Sequence, residues 1–184
     1  MKAKLIALLI AISLTLGASP REWAFSTAWN NTSDEERYYM DAEYKAIACG
    51  LTLEEFNFFA RVVEAESNRG DELEPRVYIA LVILNRVNCS NFPNTVSEVL
   101  RQAGQFEVVV NGDCSTSSTL LSEWAIVEAY RLQARATELN DLVYFNCIGF
   151  SSWAIDYDEI GGNYFSRSGC SCEHCGKAGE LWQE

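Results

Sequence analysis

Between Leu53 and Glu66 the apolar residues Phe56, Phe59, Ala60 and Val63 recur every three or four positions, the spacing of one face of a helix. Thr52, with Glu55 three residues on, has the form of a capping box, so the helix is expected to start there and to end near residues 68–70. Ser33, ahead of Asp34, Glu35 and Glu36, marks an earlier helix start, with Gly50 as its stop. Pro75 suits the first turn of a third helix, PRVYIALVILNRV, whose middle from Val77 to Leu84 is apolar all round and must therefore be central. After the turn at Pro93 and Asn94, Thr95 and Glu98 form a second capping box for the short helix VSEVLRQ. Residues 104–113 read as a short extended stretch. Residues 119–136 read as a long amphipathic helix, with Trp124 in the core.

Two β-like pieces follow, LVYFNC and NYFSR, separated by an aromatic loop that holds Trp153 and Tyr157. The pattern predicts a mainly α (α+β) chain with a minor short β element near the C-terminus. It contains no internal repeat and no low-complexity tract. Ahead of all this, MKAKLIALLIAISLTLGASP combines Lys2 and Lys4 with an apolar run too short to cross about 30 Å of hydrocarbon, and reads as a secretory signal peptide cleaved after Ala18. Residues 19–33 read as a loose arm, so 19–50 form an N-terminal arm and helix, 51–168 the main domain and 169–184 a cysteine-rich tail.

Charge narrows the partners. The net charge is −12, and more negative once the leader's lysines are removed, with no run of Lys or Arg among aromatics. Nucleic acid and anionic membrane surfaces are therefore poor partners, and a substrate is held by shape, stacking and hydrogen bonds. No membrane insertion is expected after signal cleavage, and a monomer is expected.

Seven cysteines, at 49, 89, 114, 147, 170, 172 and 175, suit an exported chain, with disulfides as the leading reading. The tail CSCEHCGKAG leaves a structural metal open, if His174 joins its three thiolates or Cys147 completes them from afar, and free thiols remain a third alternative. The odd count leaves at least one thiol unpaired in a monomer. No metal ligand and no cofactor is assigned.

The single histidine, His174, argues against a zinc peptidase and a Ser-His-Asp triad. A Cys49–His174 pair survives only remotely, since nothing adjacent activates Cys49. Carboxylates remain. Glu66 falls within about 20–60° of Phe59, Val62 and Val63 on the helical wheel, while Glu64 falls roughly 160° away beside Arg61, where a surface position suits it. A carboxyl group among those apolar neighbours loses water, which favours its protonated form, as a general acid requires. The plainer alternative is an ion pair of Glu66 with Arg69 or Arg86.

ARVVEAESNRGDE (60–72), VYIALVILNRV (77–87), NFPNTVSEVL (91–100), GQFEVV (104–109), LVYFN (142–146) and IGGNYF (160–165) occur in an order and spacing that resemble the spore-cortex-lytic enzymes and related bacterial cell wall hydrolases. The resemblance covers roughly residues 56–166. It implies a lysozyme-like helical fold that cleaves peptidoglycan glycan strands, with Glu66 at the position of the catalytic glutamate, in the manner of a lytic transglycosylase or muramidase. A hydrolase would want a second carboxylate, for which Glu107 is the candidate. Asn163 stands where many relatives carry His, and the stretch after Glu66 is one residue longer.

Phe106, Tyr144, Trp153 and Tyr164 are the candidate sugar-stacking faces, and Asn85, Gln105 and Asn163 the candidate polar contacts. A core role fits each aromatic as well, and a hydrogen bond to a loop fits Asn85. The rival functional reading is a wall-binding or structural domain of the same fold without activity.

Overall fold

The computed structural model describes residues 29–67, 71–106 and 117–175. The leader, Arg69, Glu107 and Cys114 lie outside the described residues. Among those described, no helix is long and apolar enough to cross a membrane. They divide between Leu53 and Glu54 into two compact units.

In the first unit, α1 (Asp34–Tyr38) opens on the expected capping box: Ser33 Oγ accepts from the Glu36 amide at 3.3 Å, and the Glu36 carboxylate accepts from the Ser33 amide at 2.8 Å. The single helix expected up to Gly50 is instead two. Tyr39 and Met40 close tight i−3 bonds to Glu36 and Arg37, and extended Asp41 (ψ 150°) then caps α2 (Ala42–Ala48). The cap is made by backbone geometry alone, since the Asp41 side chain forms no cap hydrogen bond. Gly50 does stop α2. At φ +68° its N–H reaches Ile47 O and the next N–H reaches Ala46 O, a left-handed C-terminal motif.

The second unit holds α3 (Leu53–Glu66), α4 (Leu73–Asn88), α5 (Val96–Leu100) and α6 (Leu120–Arg135), then a 3-10 turn (Thr137–Leu139) and three strands. Helix α4 is the centre: residues 79–86 are all buried, and the helix packs on α6, β1, α5 and β2. Thr95 caps α5 through its side chain, as the sequence pattern implies, and Thr119 caps α6 in the same way. Trp124 is buried, as expected.

The sheet runs β1 (Leu142–Asn146), β3 (Asn163–Arg167), β2 (Ile155–Ile160), antiparallel throughout. The stretch expected as an aromatic loop thus contains a strand. Its residues, IDYDEI, are exposed or half-buried and acidic, so neither burial nor β propensity announces it. It is an edge strand, where charge guards against pairing with another chain. Gly161 and Gly162, at φ +59° and +80°, form its two-residue turn to β3, and a Cβ on Gly161 would lie 2.2 Å from Pro75 Cγ.

Polar groups tie α3 to α4 and α6. Glu64, expected at the surface, accepts from Thr119 Oγ1 at 2.6 Å, from Ser122 Oγ and from Arg76 Nη2 at 3.2 Å, and Arg76 Nε donates to Ser122 Oγ at 3.2 Å. Its side chain is 16% exposed. The side chain turns from the polar flank toward a buried arginine, which a helical wheel cannot show. Burial opposes its charge, but the bonds from Ser122, Thr119 and Arg76 and the positive charge of Arg76 outweigh burial and hold the carboxyl below its ordinary value.

A depressed folded value means that this stabilisation is fully present above the ordinary carboxylate value of 4.5 and is lost as pH falls below it. E64Q is expected to lower stability by about 2 kcal/mol at pH 7, with the gap to wild type narrowing below pH 4.5. Urea unfolding at pH 7 and pH 3.5 measures both; an equal gap at the two values would remove Glu64 from the account.

Candidate active site

Glu66 ends α3. Phe59, Val62 and Val63, which share its side of the helix, are fully buried, while Glu66 is half-buried and opens into a cleft of about 560 Å³. A volume of that order suits a few sugar rings rather than a large surface. Ala65 and Glu66 form one wall, Gly104 and Gln105 come from the turn after α5, and Tyr144, Phe145 and Asn146 from β1. The loop from β1 to β2 supplies Cys147, Ile148, Ser151 and Trp153, and Asn163 opens β3. Among the described residues that line the cleft, Glu66 is the one carboxylate.

The cleft therefore gathers Glu66, Gln105, Tyr144, Trp153 and Asn163 from the residues that the sequence nominates. Trp153 is 68% exposed and meets Tyr144 edge-to-face, with ring centroids 4.6 Å apart. An open indole braced by a second ring presents a flat apolar face of the kind on which a sugar ring can stack. Burial raises the Tyr144 phenol above its ordinary value, against the charge of Arg86, so Tyr144 is a neutral donor and acceptor at any physiological pH.

Three nominated residues lie elsewhere. Phe106 is 1% exposed and packs between Phe145 and Arg86, with no face left for a sugar. Asn85 is fully buried: its Nδ2 donates to Leu139 O at 2.7 Å and Leu142 O at 2.9 Å, while its Oδ1 accepts from Gln133 at 2.9 Å. The loop-bonded alternative holds for it. Tyr164 is half-buried against Phe150, outside the lining. The second carboxylate considered, Glu107, lies outside the described residues.

Arg86 lines the cleft although sequence reasoning names it only as a possible ion-pair partner. It is 3% exposed, donates from Nε to Val143 O at 2.7 Å, and lies over the rings of Phe92, Phe106 and Tyr144 at 5.2, 5.5 and 5.8 Å. Its Nη1 is buried with no hydrogen-bond partner. Burial pulls its guanidinium down to about 10, against a smaller opposing effect of Tyr144, so it stays charged at neutral pH. The available signal is an arginine inside the last turns of an otherwise buried helix.

The six described cysteines form no disulfide. Cys170, Cys172 and Cys175 gather not with Cys147, which sits on the cleft rim, but with Cys89 at the end of α4. His174 turns from the thiols toward Asn85 Oδ1, 3.4 Å from Nε2.

The chain is similar to known proteins in sequence and in fold. A family model described as cell wall hydrolase matches residues 70–166. The spore cortex-lytic enzyme of Bacillus cereus is 33% identical over 97 residues, covering 53% of this chain and 36% of the relative, and that of Bacillus subtilis is 32% identical over 117 residues, covering 64% and 37%. The match thus spans little more than a third of the length of these relatives. The catalytic domain of the germination-specific lytic transglycosylase SleB from Bacillus anthracis superposes with a TM-score of 0.54 at 27% identity, covering 64% of this chain and 98% of that domain. The corresponding SleB domain from Bacillus cereus gives 0.54 at 26%, covering 63% and 91%. The mainly α fold with its small sheet is the fold of those domains, and on the match over residues 70–166 the chain belongs to the cell wall hydrolase family.

Proposed function

We propose that this chain cleaves the glycosidic bond between N-acetylmuramic acid and N-acetylglucosamine in peptidoglycan, with Glu66 as general acid and then base. The observation that carries the reading is the cleft itself: one lining carboxylate among the described residues, faced by an exposed indole and by the amides of Gln105, Asn146 and Asn163. Membership of the family and the likeness to a lytic transglycosylase domain support it. The basic, apolar leader supports export to the wall.

The chemistry balances without a second acid. Glu66 gives its proton to the bridging oxygen as the bond from the anomeric carbon of muramic acid breaks, and positive charge develops on that ring. The 6-hydroxyl of the same sugar then attacks the anomeric carbon and passes its proton to the Glu66 carboxylate. An anhydro ring closes, the acid is regenerated and no water is consumed. Trp153 and Tyr144 would hold a ring by stacking, and Asn163 would bond a hydroxyl or acetamido group without titrating.

E66Q is expected to slow release of fragments from purified sacculi by about a hundred- to ten-thousandfold with the melting temperature unchanged. Wild-type lysis by that variant would leave a wall-binding domain as the better reading. Chromatography of the wild-type products should show 1,6-anhydromuramic ends; reducing ends alone would mean that water replaces the 6-hydroxyl. Trp153→Ala, at an exposed position, should raise KM by about tenfold and leave the fold intact, the loss of one stacking face. An unchanged KM would take Trp153 out of the sugar site.

A further inference from the structure

Four thiols from distant parts of the sequence meet at one point in the second unit. Cys89 is the residue that ends α4, and Cys170, Cys172 and Cys175 follow β3. Their sulfur atoms all lie within 4.8 Å of one another, with Cys89 Sγ 3.7 Å from Cys170 Sγ and 3.8 Å from Cys172 Sγ. Thiolates at about 2.3 Å from a single tetrahedral ion stand about 3.8 Å apart, the edge of that tetrahedron. A disulfide draws its pair to about 2.05 Å, and a four-iron cluster spreads its ligands wider, because each binds a different iron. The spacing fits neither.

Donors also surround the sulfurs. Asn91 Nδ2 lies 3.2 Å from Cys170 Sγ, the Cys172 amide 3.4 Å from Cys170 Sγ, and the Cys175 amide 3.5 Å from Cys172 Sγ. Such N–H groups offset the excess negative charge of four thiolates around a divalent ion. We infer that Cys89, Cys170, Cys172 and Cys175 bind one structural zinc ion that fastens the segment after β3 to the end of α4. This departs from the sequence reading, which assigns no metal ligand and looks to His174 or Cys147 as the fourth.

The site closes a loop from residue 89 to residue 170 that contains α5, α6 and the whole sheet. Its coordination is complete with protein ligands, so it holds structure rather than reacting. Binding replaces four protons, which pass to solvent, and changes no oxidation state. The inference does not depend on the proposed activity.

The test uses the full mature chain, purified under reducing conditions with zinc supplied and then dialysed. Elemental analysis is expected to find one zinc per chain in wild type, E66Q and Cys147→Ser, and less than a tenth of that in Cys172→Ser. Chelation should lower the melting temperature by about 10 °C, and cobalt(II) should restore it with the visible absorption of a tetrahedral tetrathiolate. If Cys172→Ser does not fold, the cobalt spectrum of the wild type still decides. A folded chain that takes up neither metal, or a native mass spectrum with these four sulfurs joined in disulfides, would overturn the site.

Discussion

The end of α4 can be buried only if Asn85 and Arg86 find partners. An amide or guanidinium N–H left unpaired in an apolar core costs about 1–3 kcal/mol each, so these residues act as conditions on their surroundings rather than as ornaments of the helix. The carbonyls of Leu139 and Leu142 meet Asn85 Nδ2 and that of Val143 meets Arg86 Nε, leaving Arg86 Nη1 as the exception, and these bonds fix the 3-10 turn and the first residues of β1 against α4. The rest of the site follows from that contact. With β1 held there, Tyr144, Phe145 and Asn146 become the wall opposite Glu66. Cys89, one turn beyond Asn85, is placed where the segment after β3 returns.

Two glutamates two residues apart show how position on one helix separates roles. Glu64 is compensated completely, by two hydroxyls and an arginine, and such a group gains by staying charged. Glu66 lies on the apolar side and borders the cleft instead. A carboxyl group locked by three donors makes a poor proton shuttle, because each transfer would dismantle its bonds. The network around Glu64 therefore suits a fixed strut that sets the direction of the last turn of α3, and hence where Glu66 opens.

Local signals account for the parts of this molecule that were legible in the chain. The helix starts at Ser33 and Thr95, the glycine stop at residue 50 and the all-apolar run before Asn85 each depend on a few neighbouring residues. The position of Glu66 was legible for the same reason: a helical wheel places it beside Phe59, Val62 and Val63, and it borders the cleft on that side. For Phe106 and Asn85 both a cleft and a buried role were open in the sequence, and both side chains are buried, because residue type cannot tell a cleft wall from the layer behind it. Strand β2 was missed because an edge strand buries little, and the break at Asp41 because one acidic residue outweighed an otherwise helical segment. Cys89 could not have been paired with the tail by spacing, as the two lie 81 residues apart.

The make-up of the cleft bears on which reaction the proposed acid serves. An inverting hydrolase needs a base roughly 6.5–9.5 Å across from its acid, and a retaining one a nucleophile about 5–5.5 Å away. Among the described lining residues the remaining polar groups are amides, a serine, a tyrosine with a raised phenol, a thiol and an arginine. Of these, the amides of Asn146 and Asn163 can form hydrogen bonds but accept no proton at neutral pH, and Arg86 is cationic. A mechanism that used only this set would return the proton to the group that gave it. Under the proposed reading, intramolecular attack by the sugar's own 6-hydroxyl would do so, since the nucleophile arrives already held beside the ring it attacks, and its proton would have Glu66 as the nearby acceptor.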